Sequence, residues 1–541
     1  MPQPDAPTFY VTTPIYYVND RPHIGHVYTT TVADVLARYH RLRGADVFFL
    51  TGVDEHAAKV VEAAEQRGIT PLQWADQNAA AFRDTFAKLG ITNTDFVRTS
   101  EDRHKGKVTQ YVTALLASGD VYAGEYEGWY DAGQEEYVTD AKAAEYDYKS
   151  PINGKPLVRK REKNYFFRLE KYRDAVAAAI RDDTLKVRPE ARRNEVLNRL
   201  ADARDVPISR TGSGGWGIPM PTDPQQTIYV WIDALFNYLT YVDTNDRRKY
   251  WTSGATHLIA KDILWFHAAV WPAVLLALSK CPGYDWVRLP AGVYAHSFWI
   301  SEGQKMSKSL GNFVDLEKID SYVERFSLDA LRYFLATQGP LGTTDADFAE
   351  QKFIETYNTD LANKLGNSFS RVCNMIGRYF GGSMPASGEV HVPLTAKFAD
   401  GEVLTAQAFD WNAIIDKTLK NYEAGFSGLE SDVVVVALKL VSEVDDFIET
   451  TAPFKLAKDP AKLPEVGAIL YNCAEALRIA SVLLWPVIPG KCEEMWRRLG
   501  LDYAGALRAG RGDLEAWCAW GQLREGTPIE KGDALFPRWQ A

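Results

Sequence analysis

Apolar positions along the chain switch between a period of two and a period near 3.6. Phe9-Tyr10-Val11-Thr12 is a β-branched and aromatic run that reads as a buried strand stopping at Pro14. Thr29–Leu42 then sets Val32, Val35, Leu36 and Tyr39 on one helical face, with Gly44 as the stop. Asp46-Val47-Phe48-Phe49-Leu50-Thr51-Gly52 returns to strand character. Strand, helix and strand joined this closely predict a βαβ unit and a parallel sheet. Helical patterns follow over Pro71–Leu89 and Asp102–Ser118. The character changes at Gly119: residues 119–160 are rich in Tyr, Asp, Glu and Gly and read as short strands and turns. Parallel-sheet runs are expected again at Thr227–Trp231 and His257–Ile259, so the middle section is an insertion between two halves of one α/β domain. From Tyr357 to Arg498 the pattern is nearly all helical, as in Leu361–Tyr379, Val433–Thr450 and Val466–Leu484. Residues 381–404 are the expected loose connection.

Composition narrows the class. A chain of 541 residues has room for about three or four domains. Its 46% hydrophobic and 24% charged residues are ordinary for a globular protein and exclude wholesale disorder. A net charge of −10 excludes a polybasic coat as the mode of action, but not local basic faces for nucleic acid. The five cysteines have no C-x-x-C spacing and none lies in the first half, which reads as reduced thiols in a cytosol-like compartment. The longest apolar stretches, Ala268–Leu278 and Ile479–Ile488, are interrupted by proline and are shorter than the roughly 20 residues of a membrane span. No secretory or transit signal is expected before Phe9.

Two motifs carry chemistry. Pro22-His23-Ile24-Gly25-His26 falls between the first strand and a helix. Gly25 lets a ligand approach the backbone, the imidazoles offer donors, and the helix N-terminus favours an anion such as a nucleotide phosphate. Taken alone the motif also fits a surface loop with two incidental histidines. Lys305-Met306-Ser307-Lys308-Ser309, followed by Leu310-Gly311-Asn312, sets two lysines three apart beside hydroxyls. That arrangement suits polyphosphate oxygens, or alternatively a solvated basic loop. The first motif sits at the first βα turn and the second follows the last expected sheet segment, an order chance does not readily produce.

Those two stretches resemble the HIGH and KMSKS signatures of class I aminoacyl-tRNA synthetases. Further text narrows the resemblance: FYVTTPIYYVN at Phe9–Asn19, TGVDEH at Thr51–His56, WGIP at Trp216–Pro219, YVWIDALFNY at Tyr229–Tyr238, HLIAKDILWFHAAVWP at His257–Pro272 and DALRY at Asp329–Tyr333. Together they are similar to the methionyl-tRNA synthetase family over essentially the whole chain, closest to its short bacterial and mitochondrial type.

The resemblance implies a Rossmann-type parallel-sheet catalytic domain split by an α+β insertion and followed by an α-helical bundle that binds the anticodon. The implied boundaries are 1–118 and 226–300 for the catalytic halves, 119–225 for the insertion, 301–356 for a linking fold with the lysine loop, and 357–541 for the bundle. It implies ATP-dependent ligation of L-methionine to tRNA(Met), initiator tRNA included, through methionyl-adenylate, with Mg²⁺ sharing the phosphate charge. His23, Gly25, His26, Asp262, Lys305, Ser307 and Lys308 match positions that meet ATP, with His23, His26, Lys305 and Lys308 catalytic. Pro14, Ile15, Tyr17, Trp231, Ala234, Leu235, Tyr238, Ile263 and His267 match the methionine pocket, and Asp54 the carboxylate for the α-ammonium. Methionine's polarizable thioether calls for such an aromatic and aliphatic wall. Asn367 and Arg371, four apart on one helix, match an anticodon-reading pair.

Two departures stand out. Pro453-Phe454 replaces a family Pro-Trp, so Phe454 can stack on an anticodon base but has no indole N–H. Asp131, Gln134, Ser150 and Asn153 stand where many relatives carry zinc ligands, so no structural zinc is expected. A monomer without membrane attachment is expected, cytoplasmic or, alternatively, in the mitochondrial matrix. Competing readings are another class I synthetase, such as leucyl or cysteinyl, and an RNA-binding paralogue without catalysis. All four signature histidines and lysines that such a paralogue would lose are present.

Overall fold

Six strands form one wholly parallel sheet: β1 (Thr8–Tyr17), β2 (Asp46–Asp54), β3 (Asp95–Arg98), β4 (Lys186–Arg188), β5 (Ala255–Ala260) and β6 (Gly292–His296), in the spatial order β3-β2-β1-β5-β6-β4. The computed structural model describes residues 6–131, 136–138, 140–151, 153–211, 215–306, 311–398, 401–428 and 433–540. The chain runs from β1 outward to β3 and later returns on the other side of β1 at β5. A crevice therefore opens at the C-terminal ends of β1 and β5, the switch point where doubly wound sheets bind ligands.

Pro14 does not end β1, contrary to the sequence reading. It has no N–H for the ladder, and the register against β2 shifts between Thr12 and Ile15 before Ile15, Tyr16 and Tyr17 pair with Gly52, Val53 and Asp54. Gly52 is required by close approach: a Cβ there would lie 2.4 Å from the Val97 carbonyl oxygen of β3.

Two further expectations are corrected. Thr227–Trp231 is not a parallel strand: Asp223–Ile228 pairs antiparallel in a small three-stranded sheet, and helix α2 (Val230–Thr240) begins two residues later. The local β-forming run Tyr229-Val230-Trp231 loses to the helical spacing of Leu235, Phe236 and Leu239, which α2 buries. Residues 381–404 are not simply a loose connection, because His391–Phe398 and Gly401–Ala408 pair as an antiparallel hairpin. The span 119–225 holds the expected antiparallel strands, Val121–Asp131 against Val158–Phe167, yet it also supplies β4 to the edge of the catalytic sheet.

Helix α1 (Ile24–Leu42) packs on the sheet and shares one hydrophobic core with α3 (Leu328–Gln338) and with the helices of the C-terminal section, α4 (Asn367–Phe380), α5 (Val433–Thr451) and α6 (Leu463–Leu484). A π-helical stretch, Tyr357–Gly366, leads directly into α4. Within Pro460–Leu484 lies a helix long and apolar enough to cross a membrane, but its apolar window is 100% buried inside the fold, so it serves as the core helix of the bundle.

A buried charge cluster joins these parts. The Asp34 carboxylate of α1 accepts Arg38 Nε at 2.7 Å, Arg332 Nη2 of α3 at 2.7 Å and the Thr92 backbone N–H at 2.8 Å. Arg332, 1% exposed, also donates to the carbonyls of Val487 (3.0 Å), Pro486 (3.2 Å) and Leu89 (3.4 Å). Burial alone would raise the Asp34 pKa, but the Arg38 and Arg332 guanidiniums outweigh it and hold the carboxyl well below its ordinary 3.8. A carboxyl depressed on folding stabilises the native state above its unfolded pKa, and that contribution is lost as pH falls toward the folded value. Asp34→Asn should therefore destabilise the protein by about 3–5 kcal/mol at pH 7, the usual cost of stranding a buried partner. In denaturant titrations the gap from the unmodified protein should narrow below pH ~4; a gap independent of pH would refute the assignment.

Candidate active site

A cavity of about 550 Å³ fills the switch-point crevice. At one end, α1 begins with a capping box made of histidines: His23 is the N-cap and its Nδ1 accepts the Gly25 N–H at 3.1 Å, while His26 Nδ1 accepts the His23 N–H at 3.2 Å. The two rings lie 3.9 Å apart. An imidazole that accepts at Nδ1 carries its proton on Nε2 when neutral, so both rings keep an N–H donor on the other edge. Desolvation of the half-buried His26, with the neighbouring His23 adding to it, holds its pKa well below the ordinary histidine value. A Cβ on Gly25 would stand 3.0 Å from His23 Cε1, so glycine keeps this box in shape.

The opposite end is aromatic and aliphatic. The shifted end of β1 presents Pro14, Ile15 and Tyr17, and α2 presents Trp231, Ala234, Leu235 and Tyr238 at helical spacing on one face. Ile263 and His267 follow β5, and a π-helical turn, Phe266–Val270, carries His267. Trp231 meets Tyr17 edge-on at 6.3 Å and stacks on Phe266 at 4.4 Å and 5°. Burial pushes the His267 pKa down to about 4, leaving a neutral ring. His267 Nδ1–H donates to the Ile263 carbonyl at 2.9 Å, so Nε2 accepts the Tyr238 hydroxyl at 2.8 Å.

Asp54, the last residue of β2, closes the cavity between these ends and is buried. Its Oδ1 accepts the His56 backbone N–H at 3.3 Å. Beside it, the buried Asp233 carboxylate of α2 receives His56 Nδ1 at 2.6 Å and His104 Nε2 at 2.7 Å. Burial would raise the Asp233 pKa, but attraction to His56 and the two histidine hydrogen bonds bring it down to about 2.

All ten residues expected to hold methionine line this one cavity, together with His23, Gly25, His26 and Asp262. Lys305 lies outside that lining, exposed on a short hairpin of Trp299–Ser301 and Gln304–Lys305, where its carbonyl accepts Asn312 Nδ2 at 3.2 Å. Ser307 and Lys308 fall outside the described residues. Sequence reasoning missed other lining residues, among them Arg21, Thr29, His296 and Phe313. Phe313, only five residues past Lys308, rests edge-on against His23 at 5.3 Å; its nearness to the lysine motif was the available signal. His296, neutral with its pKa pushed down by burial to about 4, bonds Thr29 Oγ1 at 2.7 Å.

In the bundle, Asn367 is exposed and Arg371 half-buried one turn later on α4, while Phe454, 42% exposed, follows the end of α5. Neighbouring Ser368 bonds Asp445 of α5 at 2.7 Å, tying the two helices together. Asp131 and Ser150 are buried, the 150–155 turn closes through Ser150 N–H to the Lys155 carbonyl at 2.8 Å, and Gln134 lies outside the described residues. Among the described residues no group of three or more His, Cys, Asp or Glu is gathered as for a metal ion.

Comparison with known proteins agrees with this geometry. A family model described as "tRNA synthetases class I (M)" matches residues 9–146 and 143–373. The methionine–tRNA ligase of Bacillus subtilis is 39% identical over 100% of this chain and 79% of its own length. That of Halalkalibacterium halodurans is 37% identical over 98% and 78%. The Mycobacterium tuberculosis methionyl-tRNA synthetase, solved in complex with methionyl-adenylate, superposes with a TM-score of 0.84 at 31% identity, covering 98% of this chain and 100% of that one. With matches of this length at both the sequence and the structure level, the chain belongs to the methionine–tRNA ligase family of class I tRNA synthetases.

Proposed function

We propose that the chain is a methionine–tRNA ligase: it activates L-methionine with ATP to methionyl-adenylate and transfers the methionyl group to tRNA(Met), releasing pyrophosphate and AMP. One observation carries the reading: the histidine capping box, Asp54 and the aromatic wall line a single cavity at the switch point of the sheet. In the first step a methionine carboxylate oxygen attacks the α-phosphorus and the bond to pyrophosphate breaks; in the second a ribose hydroxyl of tRNA attacks the acyl carbon and AMP leaves. Such transfers depend mainly on positioning and charge stabilisation. His23 and His26 donate Nε2–H bonds to phosphate oxygens, and His26, kept neutral by burial, does so without adding fixed charge. Cationic compensation is left to Lys305, Lys308 and Mg²⁺, with Ser307 beside them. The donor set fits Mg²⁺ arriving on the ATP phosphates, since hard oxygen ligands of the substrate supply most of its shell.

Asp54 holds the α-ammonium, Asp262 the ATP ribose, and the Trp231, Leu235, Tyr238 and His267 wall receives the thioether. Asn367, Arg371 and Phe454 read the CAU anticodon of elongator and initiator tRNA by hydrogen bonding and stacking on splayed bases. The five expected segments serve as catalytic halves, insertion, linking fold and anticodon bundle, with β4 counted into the catalytic sheet. The protein acts as a monomer in a bacterial cytoplasm; the relatives compared are bacterial and lend no support to the mitochondrial alternative.

ATP–pyrophosphate exchange without tRNA, run across the twenty amino acids, should respond to methionine alone; exchange with a different amino acid would overturn the pocket. Asp54→Asn should weaken methionine-dependent exchange by roughly 10–100-fold, the 1.5–3 kcal/mol of a charged hydrogen bond. Arg371→Ala should impair tRNA charging while leaving exchange nearly intact. An equal fall in both would remove Arg371 from anticodon reading.

A further inference from the structure

The amino-acid end of the cavity has two walls on separate elements, bridged on the cavity side by the edge-on contact of Tyr17 with Trp231. Asp54 ends β2, while Trp231, Ala234, Leu235 and Tyr238 stand on α2. Behind the cavity, one residue reaches both. The His56 backbone N–H donates to Asp54 Oδ1 at 3.3 Å, and its imidazole Nδ1 bonds Asp233 Oδ2 at 2.6 Å. At 100° per residue, Asp233 projects from the face of α2 opposite the four lining residues. Neither His56 nor Asp233 lines the cavity. His104 anchors the same carboxylate from another helix, Asp102–Ala117, through Oδ1 at 2.7 Å, and its other nitrogen meets Thr240 at the far end of α2 at 2.9 Å. The side chains of His56 and Asp233 are 4% and 1% exposed, so water cannot take over a stretched bond.

We propose that His56 and Asp233 form a strut that sets the span between the Asp54 carboxylate and the Trp231–Tyr238 wall, and so the length of amino acid the enzyme accepts. The strut rests on the reading above, in which Asp54 holds the α-ammonium and α2 the side chain. Apolar contact alone discriminates a single methylene by only about 10–200-fold, so the spacing of the walls is where length selection is made or lost. Both residues are positioning residues; neither touches substrate.

The test is pyrophosphate exchange with L-methionine, L-ethionine (one methylene longer) and L-norvaline (one side-chain atom shorter). His56→Gln and Asp233→Asn should each raise KM for methionine about tenfold and cut its preference over ethionine by a similar factor, with KM for ATP unchanged. His104→Gln removes a bond of the same kind to Asp233 but leaves His56 in place; it should lower Tm without altering length selection. If Asp233→Asn fails to fold, His56→Gln decides, because Asp233 then keeps its His104 partner. Unchanged selectivity in His56→Gln, a parallel rise in both KM values, or an equal selectivity loss in His104→Gln would each overturn the strut. Methionine-dependent exchange in the unmodified chain separates these failures from failure of the underlying reading; no exchange there would overturn both.

Discussion

The Asp34 carboxylate is the buried charge on which the joint between the sheet's first helix and the C-terminal bundle is built. It lies on the helix whose first residues are the histidine capping box, and it is clamped by Arg332, whose remaining donors reach the Pro486 and Val487 carbonyls beyond the core helix of the bundle. Asp329, one turn earlier on α3, accepts the Lys491 backbone N–H at 2.5 Å, and Tyr333 bonds Asp360 at 3.0 Å in the π-helical stretch before α4. The DALRY text is thus a joint, with Asp329, Arg332 and Tyr333 each bonded to a different neighbour. Because α1, α3 and the bundle also share one hydrophobic core, the histidine capping box and the proposed anticodon helix belong to a continuous packed body.

The cavity separates hydrogen bonding from charge. His26, His267 and His296 all have their pKa values lowered by burial, so near neutral pH they donate or accept as uncharged rings. A neutral ring suits the aromatic end of the cavity, where a cation would oppose an apolar ligand and would cost desolvation energy. At the end built on α1, a neutral His26 can donate a hydrogen bond without adding charge. Lys305 stands exposed on its hairpin, outside the lining of the cavity.

Local signals in the sequence were enough to find α1, β2 and the first half of β1, because each is a continuous run with one clear period, but not the continuation of β1 past Pro14. The residues expected to hold methionine come in four short blocks that resemble a family text, and the fold gathers them around one cavity. The failures share a different cause. Tyr229-Val230-Trp231 looks like a strand by local propensity, and only packing of the whole of α2 decides otherwise. The period-two placing of Val392, Leu394, Ala396 and Phe398 was a legible strand signal within the stretch expected to be a loose connection. β4 was invisible because a three-residue edge strand has no period. The His56–Asp233 and His104–Asp233 bonds span 177 and 129 residues, and no spacing rule reaches that far.

Asp34 and Asp233 solve the same problem in two places. Each is a buried carboxylate on one helix, held by donors from two other segments, and each fixes the relation between elements that apolar packing alone would let slide. Such clusters add little net stability, because desolvation offsets most of the attraction. Their effect is on the alternatives: a docking displaced by one rotamer or one turn leaves a charge buried without its partner, at a cost of about 3–5 kcal/mol. A comparable slip among leucines and valines costs far less, since volume-conserving rearrangements are tolerated in cores. Directional charge is therefore placed where geometry must not drift, between α1 and the bundle, and between the two walls of the switch-point cavity.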